Sequence, residues 1–275
     1  MPSTIPVEIC ELIIDIIKEE HQSRNISGRI QTSTLNACCL TCRDWLPKAR
    51  KHLYTVVWLS ANKINKFTRS ISSNPSIGDL VRGLWLYHVD GNPQHELSLV
   101  PWQLPHRLPN LTRIGFHSVN FGHIHPRFFD LLRRFESVTT VICTFVQFSS
   151  LHQIPRLVMA FSNLKNFGCN YQTFPGREDG SSLATPLACR LRYKVPVKNL
   201  DLQLRSPEDV HVFELFLPTS VTTVQLWLED SGEKMVPAVM SFLGSAEETL
   251  QRLEFHVRGG IRVSLLTREF PLSCS

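Results

Sequence analysis

Along residues 5–17 the apolar side chains Ile5, Ile9, Leu12, Ile13, Ile16 and Ile17 recur at helical spacing, with Glu8, Glu11 and Asp15 between them. This predicts an amphipathic helix entered at Pro6, whose missing N–H suits a first turn. After a polar stretch, 18–33, the apolar period resumes over 34–46 through Leu35, Cys38, Cys39, Cys42, Trp45 and Leu46. Pro47 is expected to break that second helix and to open a short last one over 47–53. Residues 1–53 thus read as a compact helical module. So small a unit buries little surface and should lean on the rest of the chain or on a partner.

From residue 54 onward the period changes. An apolar-x-x-apolar-x-apolar triplet recurs at Tyr54/Val57/Leu59, Val81/Leu84/Leu86, Leu111/Ile114/Phe116, Val138/Val141/Cys143, Leu164/Phe167/Cys169, Val197/Leu200/Leu202, Val221/Val224/Leu226 and Leu250/Leu253/Phe255. The middle positions are 24 to 33 residues apart, with a mean of 28. That matches the leucine-rich repeat, whose pattern begins L-x-x-L-x-L with a period of about 20–29 residues. The first apolar residue of each triplet turns into the core ahead of a short strand, and the next two alternate onto its buried face. Between triplets, 62–72, 126–135, 151–161, 207–217 and 235–246 read as helical, the fourth opened by Ser206, Pro207, Glu208 and Asp209. Two stretches lack that period: 174–194, with Gly176 and Gly180, and 90–108, with three prolines.

The expected fold is therefore α+β to α/β. A helical module over 1–53 precedes a solenoid of about eight irregular repeats over 54–275, with parallel strands on the concave face and helices and loops on the convex face. After the last triplet too few residues remain for another unit. The segment 261–266 is expected to add a strand to the sheet edge as a partial cap.

Composition changes this picture little. The 275 residues are 43% hydrophobic and 19% charged, with 13 Gly and 17 Pro, as in a globular protein. The longest stretch without Asp, Glu, Lys or Arg, 137–155, is studded with Thr, Gln, Ser and His and is no candidate membrane span. Glu8, Glu11 and Asp15 interrupt the only early apolar run, so no signal peptide is expected. These features place the protein in the cytoplasm or nucleus, with its eight cysteines reduced. The net charge of +5 is concentrated over 43–69, where seven basic residues face Asp44 alone. An acidic partner for the module follows. The nearly neutral remainder, without a basic stripe, argues against nucleic acid.

Candidate chemistry is sparse. Cys39-x-x-Cys42 has no second ligand pair at zinc spacing, so these cysteines are expected in the core and no metal is assigned. His117, His123 and His125 have no nearby carboxylate before Asp130 and read as surface or capping residues. No G-x-S-x-G elbow, phosphate loop or H-E-x-x-H helix occurs. No catalytic residue, cofactor or enzymatic activity is expected. The sequence argues for a binding protein.

The residues Ile5-Pro6-Val7-Glu8-Ile9, Ile13 and Ile17, followed by Leu35 and Leu40-Thr41-Cys42-Arg43-Asp44-Trp45, resemble an F-box, whose pattern is roughly L-P-x-E-[LI]-x3-I and then L…L-V-C-[RK]-x-W. The run over 38–59 is similar to F-box-like modules of basidiomycete fungi that precede irregular leucine-rich repeats. Ile5 and Thr41 depart from the usual Leu and Val, and the connection over 18–33 is longer. The resemblance implies a module that docks on a Skp-type adaptor of a cullin-RING ubiquitin ligase, an SCF-type complex, while the repeats hold an unknown protein substrate. By position it assigns Ile5, Pro6, Ile9, Ile13, Leu40, Cys42 and Trp45 to the adaptor contact, with Trp45 equally suited to the module core. An interaction scaffold outside ubiquitination is the alternative. Substrate contacts are expected on the concave face at Trp85, Tyr87, Arg113, His117, Gln203, Trp227 and His256. Their neighbours there are Gly115, Asn166, Gly168, Asp201, Gln225 and Glu254, and the set shares no single chemical theme.

Overall fold

Each of the eight triplets forms one strand in the computed structural model. It describes residues 6–23, 28–41, 43–88, 94–150, 153–170, 197–204, 221–228, 235–246, 249–257 and 261–266. The strands are Val56–Ser60 (β1), Gly83–Tyr87 (β2), Arg113–His117 (β3), Thr140–Thr144 (β4), Asn166–Asn170 (β5), Asn199–Leu204 (β6), Thr223–Leu228 (β7) and Arg252–Val257 (β8). They lie side by side in chain order, all parallel, as crossover connections on one face require. A ninth strand, Ile261–Leu266 (β9), pairs antiparallel with β8, as its expected edge position foretold.

The register never slips. Val57, Leu84, Ile114, Val141, Phe167, Leu200, Val224 and Leu253 form one continuous rung across the sheet. A repeated backbone device holds it. The Arg82 carbonyl accepts from both Thr112 N and Arg113 N, at 2.9 and 3.0 Å, and the carbonyls of Thr112, Thr139, Lys165, Lys198 and Thr222 each receive two successive N–H groups in the same way.

One face of the sheet is covered and the other open. The rungs through Leu84 and Leu86 pack into a continuous core with Ile64 and Ile71 of Ile64–Ser73 (α4). Phe128, Phe129 and Leu132 of Arg127–Leu132 (α7) and Ile154, Leu157 and Val158 of Gln153–Met159 (α8) join it. Val239 and Leu243 of Met235–Ala246 (α9) extend it. Phe121 sits among rings, stacked on Phe148 at 5.0 Å and edge-on to Phe116 at 5.2 Å. Such buried aromatics dominate core energetics, each side chain stabilising by about 1.5–3 kcal/mol.

Pro75–Leu80 (α5) adds a tight contact: a β-carbon at Gly78 would lie 2.1 Å from the Arg107 carbonyl oxygen, so only glycine fits. Residues 94–108, the described part of the stretch 90–108, differ from the sequence expectation. Helical turns occupy Gln94–Leu99, Val100–Gln103 (α6) and Pro105–Arg107. Leu97, Val100, Leu104 and Leu108 are all buried at helical spacing, and Pro101 and Pro105 cut the run into short pieces, which disguised the period. The segments 174–194 and 207–217 lie outside the described residues.

The helical module comprises Val7–Ser23 (α1), Gly28–Thr41 (α2) and Leu46–Thr55 (α3). α2 ends at Thr41 rather than running through Trp45, because Pro47 already sits in the first turn of α3 and residues 43–45 form the turn before it. α3 passes directly into β1, so the expected boundary after residue 53 falls in its last turn. Leu53 packs on the module core of Ile14, Leu35, Cys38 and Ala49, while Tyr54 packs on the core beneath the sheet. No helix among the described residues is long and apolar enough to cross a membrane.

Candidate binding surfaces

Two surfaces collect the expected site residues. On α1, Cys10 is buried, Ile14 is buried against Leu35 and Cys38 of α2 and Ala49 of α3, and Ile17 packs half-buried on the same core. The adjoining arc carries Ile9, Leu12, Ile13 and Ile16, spaced for one helix face and all exposed, Leu12 at 55%. The apolar arc of α1 is thus wider than its own module covers. Leu40, near the end of α2, is 87% exposed. Pro6 is exposed at the start of α1, whereas Trp45 is half-buried against the module core. Ile5 and Cys42 lie outside the described residues.

Charge fixes α3 against α1. Asp15 Oδ2 pairs with Lys48 Nζ at 2.9 Å, and its Oδ1 lies 2.7 Å from His52 Nε2. The Lys48 hydrogen bond, ahead of the His52 contact, holds the Asp15 carboxyl below its ordinary value. The same bond raises Lys48. Cys38 is buried and Cys39 half-buried, and burial pushes both thiols up, away from the reactive thiolate form.

The second surface is the open face of the sheet. Three rungs point outward. One runs from Val56 through Gly83, Arg113, Thr140, Asn166, Asn199 and Thr223 to Arg252. The next runs from Trp58 through Trp85, Gly115, Ile142, Gly168, Asp201 and Gln225 to Glu254. The third carries Ser60, Tyr87, His117 and Thr144 on β1–β4 and Gln203, Trp227 and His256 on β6–β8.

The expected substrate residues fall into separate groups on this face. Trp85, Tyr87 and His117 join Trp58 and Phe145 in an aromatic cluster on β1–β4. Trp58 stacks on Trp85 at 4.8 Å with 9° between planes, His117 meets Trp58 edge-on at 6.3 Å, and Phe145 meets His117 edge-on at 5.6 Å. Arg113 is exposed at the adjacent rung. Burial holds His117 below its ordinary value, so its ring is neutral at pH 7.

At the other end Trp227 stacks on His256 at 3.8 Å and donates from Nε1 to Asp201 Oδ1 at 2.9 Å. Burial raises the Asp201 carboxyl, opposed by the Trp227 hydrogen bond. Glu254, nearly inaccessible, accepts from Gln225 Nε2 and pairs with Arg252. Between the ends, Asn166 donates to Thr140 Oγ1 at 3.0 Å and accepts from Asn199. Gln203 is half-buried on β6, in register with Trp227 of β7.

Trp58 and Phe145 were absent from the sequence-derived site, although Trp58 occupies the outward position inside the first triplet. Phe145 follows β4 with a φ of 54°, a turn that carries it out of strand alternation, and Ser118 does the same after β3 with a φ of 52°.

Among the described residues no group of three or more His, Cys, Asp or Glu side chains could hold a metal ion. His125 Nδ1 accepts from Arg127 N at 3.1 Å at the start of α7, a capping role. No protein-family model matches this chain, and no curated protein matches it.

Proposed function

We propose that the chain is a substrate receptor of an SCF-type cullin-RING ubiquitin ligase, with an F-box-like module over 1–53 that docks on a Skp-type adaptor and leucine-rich repeats whose open face holds a protein substrate. The observation that carries this reading is the uncovered arc of α1, where Ile9, Leu12, Ile13 and Ile16 face solvent beside a covered arc of the same helix. Such a surface is costly to leave in water and marks a docking site. The F-box resemblance of Ile5 to Ile9 and Leu40 to Trp45 supplies the identity of the occupant. Exposed Arg43 and Lys51 suit an acidic adaptor, since Lys48 is already engaged with Asp15.

In the repeats that begin at Leu111 and Val138, the position where the leucine-rich pattern sets Asn or Cys holds Val119 and Val146, both buried. The amides of Asn120 and Gln147, one residue later, bridge the two turns instead.

The test is co-purification with the tagged full chain from eukaryotic cells. The adaptor and a cullin should be recovered with the unaltered chain and lost with Ile9→Ala/Ile13→Ala, a change at exposed positions that leaves the fold intact. Undiminished adaptor recovery with the double variant overturns the docking assignment. Recovery of adaptor without cullin favours the scaffold outside ubiquitination.

A further inference from the structure

We propose that the open face of β1–β4 binds an extended peptide segment carrying an aromatic or aliphatic anchor and, about three residues away, a carboxylate side chain. The inference rests on the substrate-receptor reading and names the substrate chemistry of that same face.

The anchor site is the corner formed by Trp58 and Trp85, stacked on each other, with His117 edge-on to Trp58 and Phe145 edge-on to His117. Rings meeting nearly at right angles make a step, not a flat plate, and a side chain laid into it touches two walls. Trp58 is 45% and Phe145 50% exposed, so apolar area remains to be covered. His117, neutral at pH 7, adds no charge to the wall.

The carboxylate site is Arg113. It lies two residues before Gly115, over which the Trp85 indole is laid, and two residues along a strand is about 6.6 Å. Arg113 is exposed and makes no ion pair among the described residues. The outward positions of β1–β5 hold no carboxylate at all. The acids of this face, Asp201 and Glu254, sit on β6 and β8 and are engaged by Trp227 and by Gln225 and Arg252. β6 is also three strands from β3, about 14 Å. The guanidinium therefore awaits an anion from outside, and beside an apolar wall a charge-assisted, bidentate contact is at its strongest. From the ring corner to Arg113 is about 7–13 Å along β3, or two to four residues of extended chain at about 3.3 Å each.

Single-stranded nucleic acid also combines stacking with anionic contacts. It needs a groove of repeated basic residues, however, and β1–β4 offer Arg113 alone among their outward positions. A peptide needs one cation.

The test is selection of random dodecapeptides displayed on phage against the immobilised full-length chain. The enriched peptide is then made synthetically and its affinity measured by fluorescence anisotropy. Enriched sequences should carry Phe, Trp, Leu or Ile with Asp or Glu two to four positions away. Trp58→Ala and Arg113→Glu, both at exposed positions, should each weaken that peptide at least tenfold, and Asp→Asn in the peptide should match the Arg113→Glu loss. No enrichment, enrichment without an acidic position, or affinity indifferent to both variants overturns the proposal. So does tighter binding of an oligo-dU dodecamer than of the peptide. Adaptor co-purification is read on the same variants, whose α1 is untouched. Adaptor retained with peptide binding absent sinks the peptide site alone, whereas peptide bound with adaptor absent sinks the ligase reading alone.

Discussion

The indole of Trp85 on β2 lies across the α-carbon of Gly115 on β3: a β-carbon there would stand 2.1 Å from Trp85 Cε3 and 2.4 Å from Cδ2. The missing side chain of one strand is thus the seat of the ring on the next, and Trp58 completes the stack from the other side. Gly115→Ala should expel the indole while the register of β3 persists. Near-UV circular dichroism in the tryptophan region should collapse with far-UV signal intact, and stability should fall by about 1–3 kcal/mol, as overpacking costs. An unchanged near-UV spectrum would show that Trp85 does not rest there.

Ile13 and Ile14 are consecutive and should behave as opposites. Ile14 is fully buried among Leu35, Cys38 and Ala49, whereas Ile13 belongs to the exposed arc. Ile14→Ala should cost about 2–5 kcal/mol of module stability, and Ile13→Ala within about 0.5 kcal/mol. Hydrogen exchange over residues 7–55 reads the difference. Equal protection in the two variants would contradict the assigned orientation of α1.

Acid should loosen the helical module through Asp15, after the raised carboxyl of Asp201 on the sheet has taken its proton. The folded-state pKa of Asp15 is lowered by Lys48 first and His52 second, so its contribution to stability is present above the ordinary 3.8 and is lost as pH falls through the depressed value. Lys48 works in the other direction: raised by Asp15, it contributes below its ordinary 10.5 and loses that contribution as pH climbs through the raised value. Asp15→Asn should therefore flatten the acid limb of module stability. Both groups are solvent-accessible, so high salt should shrink the effect. An acid limb identical in Asp15→Asn would remove this pair from the account.

The edge of the sheet offers a fourth measurement. β9 runs antiparallel to β8 with Arg252 opposite Leu266 and Val257 opposite Ile261, which covers the edge of the last parallel strand. Deleting residues 261–275 should lower the melting temperature and promote aggregation through the bared backbone of β8. Unchanged melting and solubility would mean that β9 protects nothing.

The strands were legible in the sequence because each triplet carries two separate signals, a stem residue turned into the core and two alternate positions on the buried face. Val57 through Leu253 fell into one rung on that basis. Helix ends were less legible. α1 continues to Ser23 and α2 begins at Gly28 through polar residues that have no apolar period to betray them. Periodicity also pooled Ile17 with Ile9, Leu12, Ile13 and Ile16, and it passed over Cys10 and Ile14, both buried positions of α1. It reports that an arc is apolar, not which part of it a neighbour covers. On the open face Trp58 could have been read from alternation within its own triplet. Phe145 could not, because its exposure comes from a left-handed backbone turn that apolar patterning does not encode.

Zero slip between neighbouring strands makes the open face a grid in which every residue has an address, strand by rung. Since the carbonyl at the entrance of every strand from β2 to β7 clamps two N–H groups at the start of the next strand, a change in connection length between those strands is absorbed before the grid begins. The 33 residues between Phe167 and Leu200 and the 24 between Leu200 and Val224 deliver their strands to the same alignment. Recognition on such a surface can be rewritten one address at a time, and whole columns can be gained or lost without disturbing those that remain.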